Sequence, residues 1–274
     1  MLPHSKQHNT TLHYTTLHYT TQFYTMYNIA VILAGGIGAR VGGGVPKQLL
    51  PLQDGKSVLE HAVDAFEQSP HINEVCIVMH PDYIVHAEQM LLANAWQKVR
   101  HIIPGGKERW ESSVNAIRRL GERLEVKDKD NNCQLPIANN HNTVNHLLHD
   151  AARPFVSQDI IARVCEALEE HEAVTVAIPS TDTVYEMANN KVARIPQRST
   201  IMRAQTPQAF RLELIAEAYT KALGVDSLSA EACAEAHLPA TDDCGVVFNH
   251  LPEVSIHIVL GEEQNRKITF KEDI

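Results

Sequence analysis

The sequence lacks the marks of several protein classes. No apolar run approaches the length of a membrane-spanning helix, about 18 residues or more. The five cysteines are odd in number and form no Cys-x-x-Cys motif, which argues against a disulfide framework and against a zinc site. Basic residues are in the minority, 24 Lys and Arg against 33 Asp and Glu, for a net charge of −9. We therefore expect a cytoplasmic protein without membrane or nucleic-acid partners, in which any phosphate site is a local cationic pocket.

The glycine-rich segment from Gly35 to Lys47 also lacks two well-known signatures. It contains no Gly-x-x-x-x-Gly-Lys-Ser/Thr, so it is not a Walker-type loop. Its Gly-Gly-x-Gly spacing only loosely resembles the dinucleotide fingerprint, and no acidic residue closes a strand about twenty residues later. A dehydrogenase is therefore a weak interpretation.

What the segment does contain favours a triphosphate. The apolar run 29–33 predicts a buried parallel strand that leads directly into the loop. Glycines let the backbone approach a ligand and leave N–H groups free for phosphate oxygens, and Arg40 and Lys47 add two cations. Backbone donors and cations together can offset about four negative charges. A plain strand-to-helix turn would explain the glycines but not the cations.

The first 25 residues differ in character from the rest. A Thr-Thr-Leu-His-Tyr pattern repeats with a period of five between Thr10 and Thr21, which fits no helix face and no secretory signal. A second methionine, Met26, precedes the first predicted strand. We expect residues 1–25 to be a disordered extension or a misassigned start, and residues 26–274 to form a single domain. The alternative, a metal-binding tract of histidines, lacks acidic or cysteine companions.

Helical and strand patterns alternate after the loop. The predicted helices are 57–68, 83–95, 112–124 and 157–171, the first opened by a capping box of Ser57 and Glu60. The predicted strands are 74–79, 99–103, 146–149 and 173–178, with a polar surface loop at 126–145. This alternation predicts right-handed crossovers and a mainly parallel sheet, whose ligands lie beyond the carboxyl ends of the strands.

Two further strand ends should meet the glycine loop in one crevice. One carries Gly105 and Gly106, which allow close approach to a base or ribose, followed by Ser112 and Ser113, either of which can donate to a pyrimidine or a sugar. The other carries the segment His149-Asp150-Ala151-Ala152-Arg153-Pro154.

That segment holds two residues suited to phosphate chemistry. Asp150 at a strand end is a natural ligand for a magnesium ion that also holds triphosphate oxygens, and Arg153 could hold a second phosphate bidentately. The alternative is a structural ion pair that caps the next helix.

Taken in order, these motifs resemble the cytidylyltransferases that join CMP to a linear polyol phosphate. That family includes the 2-C-methyl-D-erythritol 4-phosphate enzymes and the related ribitol-5-phosphate enzymes. Besides the segments above, the resemblance covers Asp182-Thr183, Ala204-Gln205-Thr206-Pro207-Gln208, Thr241-Asp242-Asp243 and Asn265-Arg266-Lys267-Ile268-Thr269.

The resemblance implies a role for each matching residue. It implies catalytic cations at Arg40, Lys47 and Lys267. It implies nucleotide binding by Leu33, Ala34, Gly35, Gly36, Gly38, Gly105, Gly106, Arg109, Ser113 and Asp150, with Asp150 as the magnesium ligand. It implies acceptor binding by Asp150, Arg153, Thr183, Arg198, Thr206 and Lys267.

The resemblance also implies the fold and the assembly. The fold class is α/β, a Rossmann-like, mainly parallel twisted sheet with helices on both faces, plus a projecting β-hairpin dimerisation arm at about 180–198. Residues 185–192 indicate such a hairpin, with an Asn-Asn turn, and an exposed hairpin favours a homodimer with shared sites. The expected substrates are CTP and a polyol phosphate, and the expected cofactor is Mg²⁺.

Three alternatives remain open at this point. The acceptor can be methylerythritol phosphate or ribitol phosphate, because 194–198 and 242–247 lean toward ribitol-type relatives while 151–153 and 203–207 lean toward the isoprenoid enzymes. The chain could bind nucleotide without catalysis, although intact Arg40, Lys47 and Lys267 argue against this. It could also be a pyrophosphorylase for a hexose 1-phosphate, which shares the glycine loop. Residues 126–145 and 224–240 match nothing in the family, and the chain stops where members usually continue into a last helix.

Overall fold

The computed structural model describes residues 26–36, 46–125, 143–233, 238, 242–270 and 273. The strands in these ranges are β1 Met26–Ala34, β2 Glu74–Met79, β3 Val99–Pro104, β4 Thr143–Asp150, β5 Ala173–Pro179, β6 Glu186–Ala188, β7 Lys191–Arg194, β8 Met202–Arg211 and β9 Ile256–Leu260. The helices are α1 Val58–Glu67, α2 Ile84–Asn94, α3 Arg109–Glu125, α4 Gln158–Ala167, α5 Leu212–Leu223, α6 Ala230–Cys233 and α7 Asp243–His250.

Seven strands form one sheet in the order β3-β2-β1-β4-β8-β5-β9. Only β8 runs antiparallel to its neighbours β4 and β5, and the other four pairings are parallel. The expected mainly parallel sheet is confirmed. Because β1, β4 and β3 point the same way, their carboxyl ends lie along one edge of the sheet.

Helices cover both faces of the sheet, as expected. Alternate residues of β1 explain why its apolar run is continuous: Ala30 and Ile32 pack toward α1, α2 and α4, while Ile29 and Val31 pack toward α3, α5 and α7. All four side chains are at most 2% exposed. Because β1 is buried on both faces, we expect a ligand to reach it only at its end. In the described ranges, no helix combines the length and hydropathy that a bilayer crossing requires.

The local predictions are confirmed in part. The capping box of α1 is present, since Glu60 N donates to Ser57 Oγ at 3.2 Å and Ser57 N donates to Glu60 Oε2 at 2.7 Å. Four boundaries were wrong by three residues or more. Strand β1 begins at Met26 rather than at Ile29, and α4 ends at Ala167 rather than at His171. Helix α3 begins at Arg109 rather than at Ser112, and β4 begins at Thr143, inside the predicted loop 126–145. The polar Asn145 fits a strand because its buried amide donates to Asn28 Oδ1 at 2.8 Å. The predictions for 1–25 and 126–142 lie outside the described residues.

A two-stranded hairpin stands apart from the main sheet. Strands β6 and β7 pair antiparallel around Asn189 and Asn190, whose φ angles of 51° and 59° put both in the left-handed region. Two such residues make the turn that matches the twist of a hairpin, so the predicted Asn-Asn turn is confirmed. Every residue of both strands is exposed.

Candidate active site

The glycine loop, the β3–α3 loop and the end of β4 line one cavity of about 670 Å³. Among the described lining residues, four are cationic and two are acidic: Lys47, Lys107, Arg109 and Lys267, against Glu108 and Asp150. The cavity is cationic although the chain carries a net charge of −9, which is the property expected of a local phosphate pocket.

Two glycines bring the loops together. A side chain on Gly35 would place its first carbon 2.8 Å from Ser112 Oγ, and one on Gly105 would place it 3.0 Å from Gly35 Cα. The loops after β1 and β3 therefore pack backbone against backbone, which only glycine permits. Gly36, in contrast, has no atom of the described residues within 4 Å of the equivalent position, and it lines the cavity.

The 3-10 helix Lys47–Leu49 holds the glycine loop and the C-terminal segment in place. The buried Gln48 amide donates to the carbonyls of Ala34 at 2.6 Å and Gly36 at 2.8 Å. Lys47 Nζ donates to Ile268 O at 2.8 Å. Lys47 thus ties the 3-10 helix to the segment that carries Lys267, and it also lines the cavity.

Asp150 is the central carboxylate of the cavity. Arg109 Nε lies 3.1 Å from its Oδ1, and Lys267 Nζ lies 2.6 Å from its Oδ2. Burial alone would raise the pKa of Asp150, but the two cations outweigh burial and hold that pKa well below its ordinary range. Asp150 is therefore ionised, and both of its oxygens are engaged.

Arg109 is shared between two carboxylates. Its Nη1 lies 2.7 Å from Oδ2 of Asp243, a residue with no exposed surface, and Tyr219 donates to the other Asp243 oxygen at 2.7 Å. Burial opposes the charge on Arg109, but the attraction of Asp243 and Asp150 outweighs it and raises the pKa of Arg109. The guanidinium is thus a fixed cation that orients Asp150 from the interior side.

Arg153 is also held by the protein. Its Nη1 donates to Asn265 O at 2.7 Å and its Nη2 to Ala204 O at 3.2 Å. The Asn265 amide donates in turn to Thr206 O at 2.9 Å. These contacts fasten the segment before Lys267 to β8, so the two Nη groups expected to hold a phosphate bidentately both bind carbonyl oxygens in this structure.

His149 is buried behind the cavity and contacts Arg153 and Thr206 through its two ring nitrogens. The ring is fully buried, and burial lowers its pKa to about 4, so it is neutral near pH 7. Its Nε2 lies 3.0 Å from Arg153 O, and its Nδ1 lies 3.1 Å from Thr206 Oγ1. Thr206 Oγ1 also accepts from Asp150 N at 3.1 Å.

Nine of the site residues predicted from the sequence line the cavity, and others do not. The nine that line it are Leu33, Ala34, Gly35, Gly36, Lys47, Gly106, Arg109, Asp150 and Lys267. Those described but not lining it are Gly105, Ser113, Arg153, Thr183, Arg198 and Thr206. Gly38 and Arg40 lie outside the described residues. Their roles in binding and catalysis stay predictions.

Some lining residues were not nominated. Ser112, the alternative to Ser113, lines the cavity, whereas Ser113 is buried and its hydroxyl faces Arg109 O at 3.5 Å. Ser112 Oγ accepts from Gly106 N at 3.1 Å, which places this serine against the β3–α3 loop. The others are Gln48, Lys107, Glu108, Ala151, Ala152 and Thr269. Five of these six adjoin a nominated residue, and that adjacency was the available signal.

Comparison with known proteins gives this arrangement a family. The model of the family "IspD: 2-C-methyl-D-erythritol 4-phosphate cytidylyltransferase" matches residues 28–274. The chain belongs to this family. Its members are cytidylyltransferases, a type of nucleotidyltransferase, so the resemblance read from the motifs is confirmed.

Individual relatives carry two different acceptor names. A 2-C-methyl-D-erythritol 4-phosphate cytidylyltransferase from Thermobifida fusca is 41% identical over 250 residues, covering 89% of this chain and 89% of that protein. A ribitol-5-phosphate cytidylyltransferase from Lactiplantibacillus plantarum is 31% identical, covering 89% and 94%. The bifunctional Bcs1 of Haemophilus influenzae is 34% identical, but this chain spans only 46% of its length.

The fold is likewise that of IspD structures. A 4-diphosphocytidyl-2C-methyl-D-erythritol synthase from Anaerococcus prevotii superposes with a TM-score of 0.68 at 25% identity, covering 90% of this chain and 92% of that one. The Francisella tularensis enzyme gives a TM-score of 0.64, covering 90% and 96%, and at 24% identity supports the fold alone.

Proposed function

We propose that this protein transfers CMP from CTP to 2-C-methyl-D-erythritol 4-phosphate, giving the CDP-polyol and pyrophosphate for isoprenoid precursor synthesis. The observation that carries the proposal is that Lys47, Arg109 and Lys267 line one cavity with Asp150, whose carboxylate pairs with Arg109 and Lys267. Family membership supports the same reaction. The 41% identical relative favours this acceptor over ribitol phosphate.

The proposed chemistry is positioning and charge neutralisation. An oxygen of the acceptor's phosphate attacks the α-phosphorus of CTP, and pyrophosphate leaves from the opposite side. That oxygen is already anionic near pH 7, so the step needs no strong general base. Two anions must approach each other, so fixed cations dominate the energetics. Lys47 would stabilise the charge that moves onto pyrophosphate, and Lys267 would hold the incoming phosphate.

The proposal includes Mg²⁺ held by Asp150. Among the described residues, no group of three or more His, Cys, Asp or Glu side chains could hold a metal unaided. A single carboxylate fits Mg²⁺ nonetheless, since this ion commonly takes one or two carboxylates plus substrate phosphates and waters. Bound there, it would neutralise triphosphate charge. Because Asp150 Oδ2 accepts from Lys267 Nζ at 2.6 Å, Mg²⁺ bound at this oxygen would compete with the lysine for it.

A panel of substrates tests the reaction. Pyrophosphate release is measured for CTP, UTP, ATP and GTP with methylerythritol phosphate, ribitol 5-phosphate and glucose 1-phosphate. We expect CTP with methylerythritol phosphate to react fastest, and Lys267→Met to abolish the signal. Lys221→Met, on the outer face of α5, is the matched control that removes an exposed lysine outside the cavity. Fastest turnover of glucose 1-phosphate, or no turnover at all, would contradict the proposal.

Ribitol 5-phosphate is the second candidate acceptor. It is supported by two relatives, the ribitol-5-phosphate cytidylyltransferase of Lactiplantibacillus plantarum and the bifunctional CDP-ribitol pyrophosphorylase Bcs1. The product would then be CDP-ribitol for cell-surface polymers. The same panel separates the two acceptors by their kcat/KM values.

The proposal further includes a homodimer in which the 180–198 arm completes the partner's site. Thr183 and Arg198 are exposed and do not line the cavity of their own chain, and the arm exposes Tyr185, Met187 and Val192. Exposed apolar side chains on a projecting hairpin favour a covering partner, and closed dimers are the commonest assembly.

The free thiols of the described cysteines support the proposed cytoplasmic location.

Mixing two inactive variants tests the shared site. Arg198→Ala and Lys47→Ala proteins should each be nearly inactive alone. After subunit exchange, each heterodimer holds one site free of both changes, so activity should recover to about a quarter of the wild-type value. Exchange without recovery would place Arg198 in its own subunit's site or outside any site.

A further inference from the structure

One buried ring behind the cavity joins β4 and the turn after it to β8 and α1. His149 lies on β4 beside Asp150, has no exposed surface and meets Phe66 of α1 edge-on, with ring centroids 4.9 Å apart. The cavity is lined by Asp150, Ala151 and Ala152, but not by His149. A group so enclosed cannot exchange protons with a substrate, so its effect must pass through its neighbours.

The partners of the ring fix its tautomer. Arg153 O can only accept a hydrogen bond, so the Nε2 atom at 3.0 Å must carry the proton. The neutral ring then has a lone pair on Nδ1, which accepts from the Thr206 hydroxyl at 3.1 Å. That hydroxyl oxygen is left to accept from Asp150 N at 3.1 Å. The bonds run in one direction, from Asp150 N through Thr206 and the ring to Arg153 O.

This chain of bonds fixes the backbone on both sides of Asp150. It ties the end of β4 to β8 through Thr206, and it closes the turn from Asp150 to Arg153, where Arg153 N also donates to Asp150 O at 2.9 Å. Arg153 in turn holds Asn265, two residues before Lys267. The position of the Asp150 carboxylate relative to Lys267 thus depends on a ring that touches neither side chain.

We propose that His149 is a positioning residue of the active site, acting through the Thr206 hydroxyl to hold Asp150 in register with Lys267. This inference rests on the proposed cytidylyl transfer for its kinetic consequences, but not for the hydrogen bonds themselves. Displacing a catalytic group by a fraction of an ångström lowers turnover without removing any ligand contact.

Two substitutions separate the hydrogen bond made by Nδ1 of the ring from the one made by Nε2. The shorter amide of His149→Asn can occupy the place of Nδ1 and accept from Thr206, whereas that of His149→Gln reaches toward Arg153 O and leaves Thr206 without its acceptor. We expect H149Q to lower kcat about tenfold or more with the KM for CTP changed less than about twofold, and H149N to stay within about threefold of wild type.

A double-mutant cycle with Thr206→Val decides whether the effect runs through Thr206. If it does, H149Q costs nothing further in the T206V background, because the link is already absent. Independent, additive losses would overturn the proposal, as would an H149N enzyme as impaired as H149Q. A merely structural role would lower the thermal midpoints of both variants without this dependence on Thr206.

Nitrogen-15 NMR of the histidine rings keeps the proposal testable if a variant fails to fold or the wild type proves inactive. The His149 signals, identified by their loss in H149N or H149Q, should show a protonated Nε2 and a hydrogen-bond-accepting Nδ1 at pH 7.5. A protonated Nδ1 would refute the chain of bonds. A wild type that releases no pyrophosphate while showing the expected tautomer would defeat the proposed function alone.

Discussion

Lys267 and Arg109 bind the same carboxylate, yet their replacement should have opposite consequences. The Lys267 side chain is 44% exposed and can leave Asp150, whose second oxygen keeps Arg109. Because one partner is half-exposed and Arg109 stays bound to the buried Asp150, we expect the pair with Lys267 to contribute about 0–1 kcal/mol, as exposed ion pairs do. Lys267→Met should therefore lower the thermal midpoint by no more than about 4 °C. Activity should fall at least about a hundredfold, as when other preorganised electrostatic groups are removed.

Arg109→Met should instead lower the free energy of unfolding of the protein. Asp243 has no exposed surface, and its charge is balanced by Arg109 at 2.7 Å. Removing one partner of a buried pair leaves an uncompensated charge and costs about 3–5 kcal/mol. At about 2–4 °C per kcal/mol for a domain of this size, the midpoint should drop by about 6–20 °C. Arg109 thus acts first on stability, and Lys267 acts on turnover.

Both quantities are measured on the same preparations. Thermal midpoints come from differential scanning fluorimetry, and turnover comes from pyrophosphate release with CTP and methylerythritol phosphate. Lys221→Met, which breaks an exposed pair with Glu217 at 2.7 Å, serves as the control for losing a lysine. The reasoning fails if K267M is as unstable as R109M, or if K267M keeps activity within about threefold of wild type.

Three further outcomes are expected. Lys47→Met should reduce kcat about a hundredfold and CTP affinity much less, because its contact strengthens as charge moves to pyrophosphate; equal losses in both would contradict this. Burial lowers the pKa of His146 and of His149 to about 4, so unfolded chains take up protons first and stability falls as pH drops from about 6.5 to 4; urea titrations should show a shallower fall in His146→Leu, by up to about 1.4 kcal/mol per pH unit. Ala95 ends α2 at φ 51°, so Ala95→Gly should stabilise by about 0.5–1 kcal/mol, and a lower thermal midpoint would refute that strain.

The first half of the fold was predictable because its signals are local. Strand β1 is apolar at every position from Ile29 to Leu33, and the α1 capping box lies within four residues. Each of the parallel strands β1 to β4 is followed by a helix, so the alternation itself implies the sheet and the edge where ligands bind. Eight of the nine nominated cavity residues lie at or after the ends of β1, β3 and β4 for this reason, whereas Lys267 comes from the C-terminal segment.

Strand β8 could not be read in the same way. It carries Gln205, Thr206 and Gln208, which are polar and at most 5% exposed, beside a proline. Such a segment is typical of a loop until its partners are known. Gln208 accepts from Asp243 N at 3.1 Å, and Gln205 donates to Glu262 O at 2.8 Å, so the buried amides are satisfied by residues 35 and 57 positions away.

Because hydrogen-bond partners can lie far away in sequence, a motif does not show which bonds a side chain makes in the fold. Arg153 and Thr206 have the residue types that phosphate binding requires, and family resemblance nominates both. In the structure, Arg153 donates to a carbonyl 112 residues away, and the Thr206 hydroxyl is engaged by His149 and Asp150. A sequence pattern identifies which donors exist, whereas only the fold shows which are already committed. Lys267 is half-exposed, and among the described residues its ammonium group pairs with Asp150, so it is a better candidate ligand for an incoming phosphate than the more deeply held Arg153.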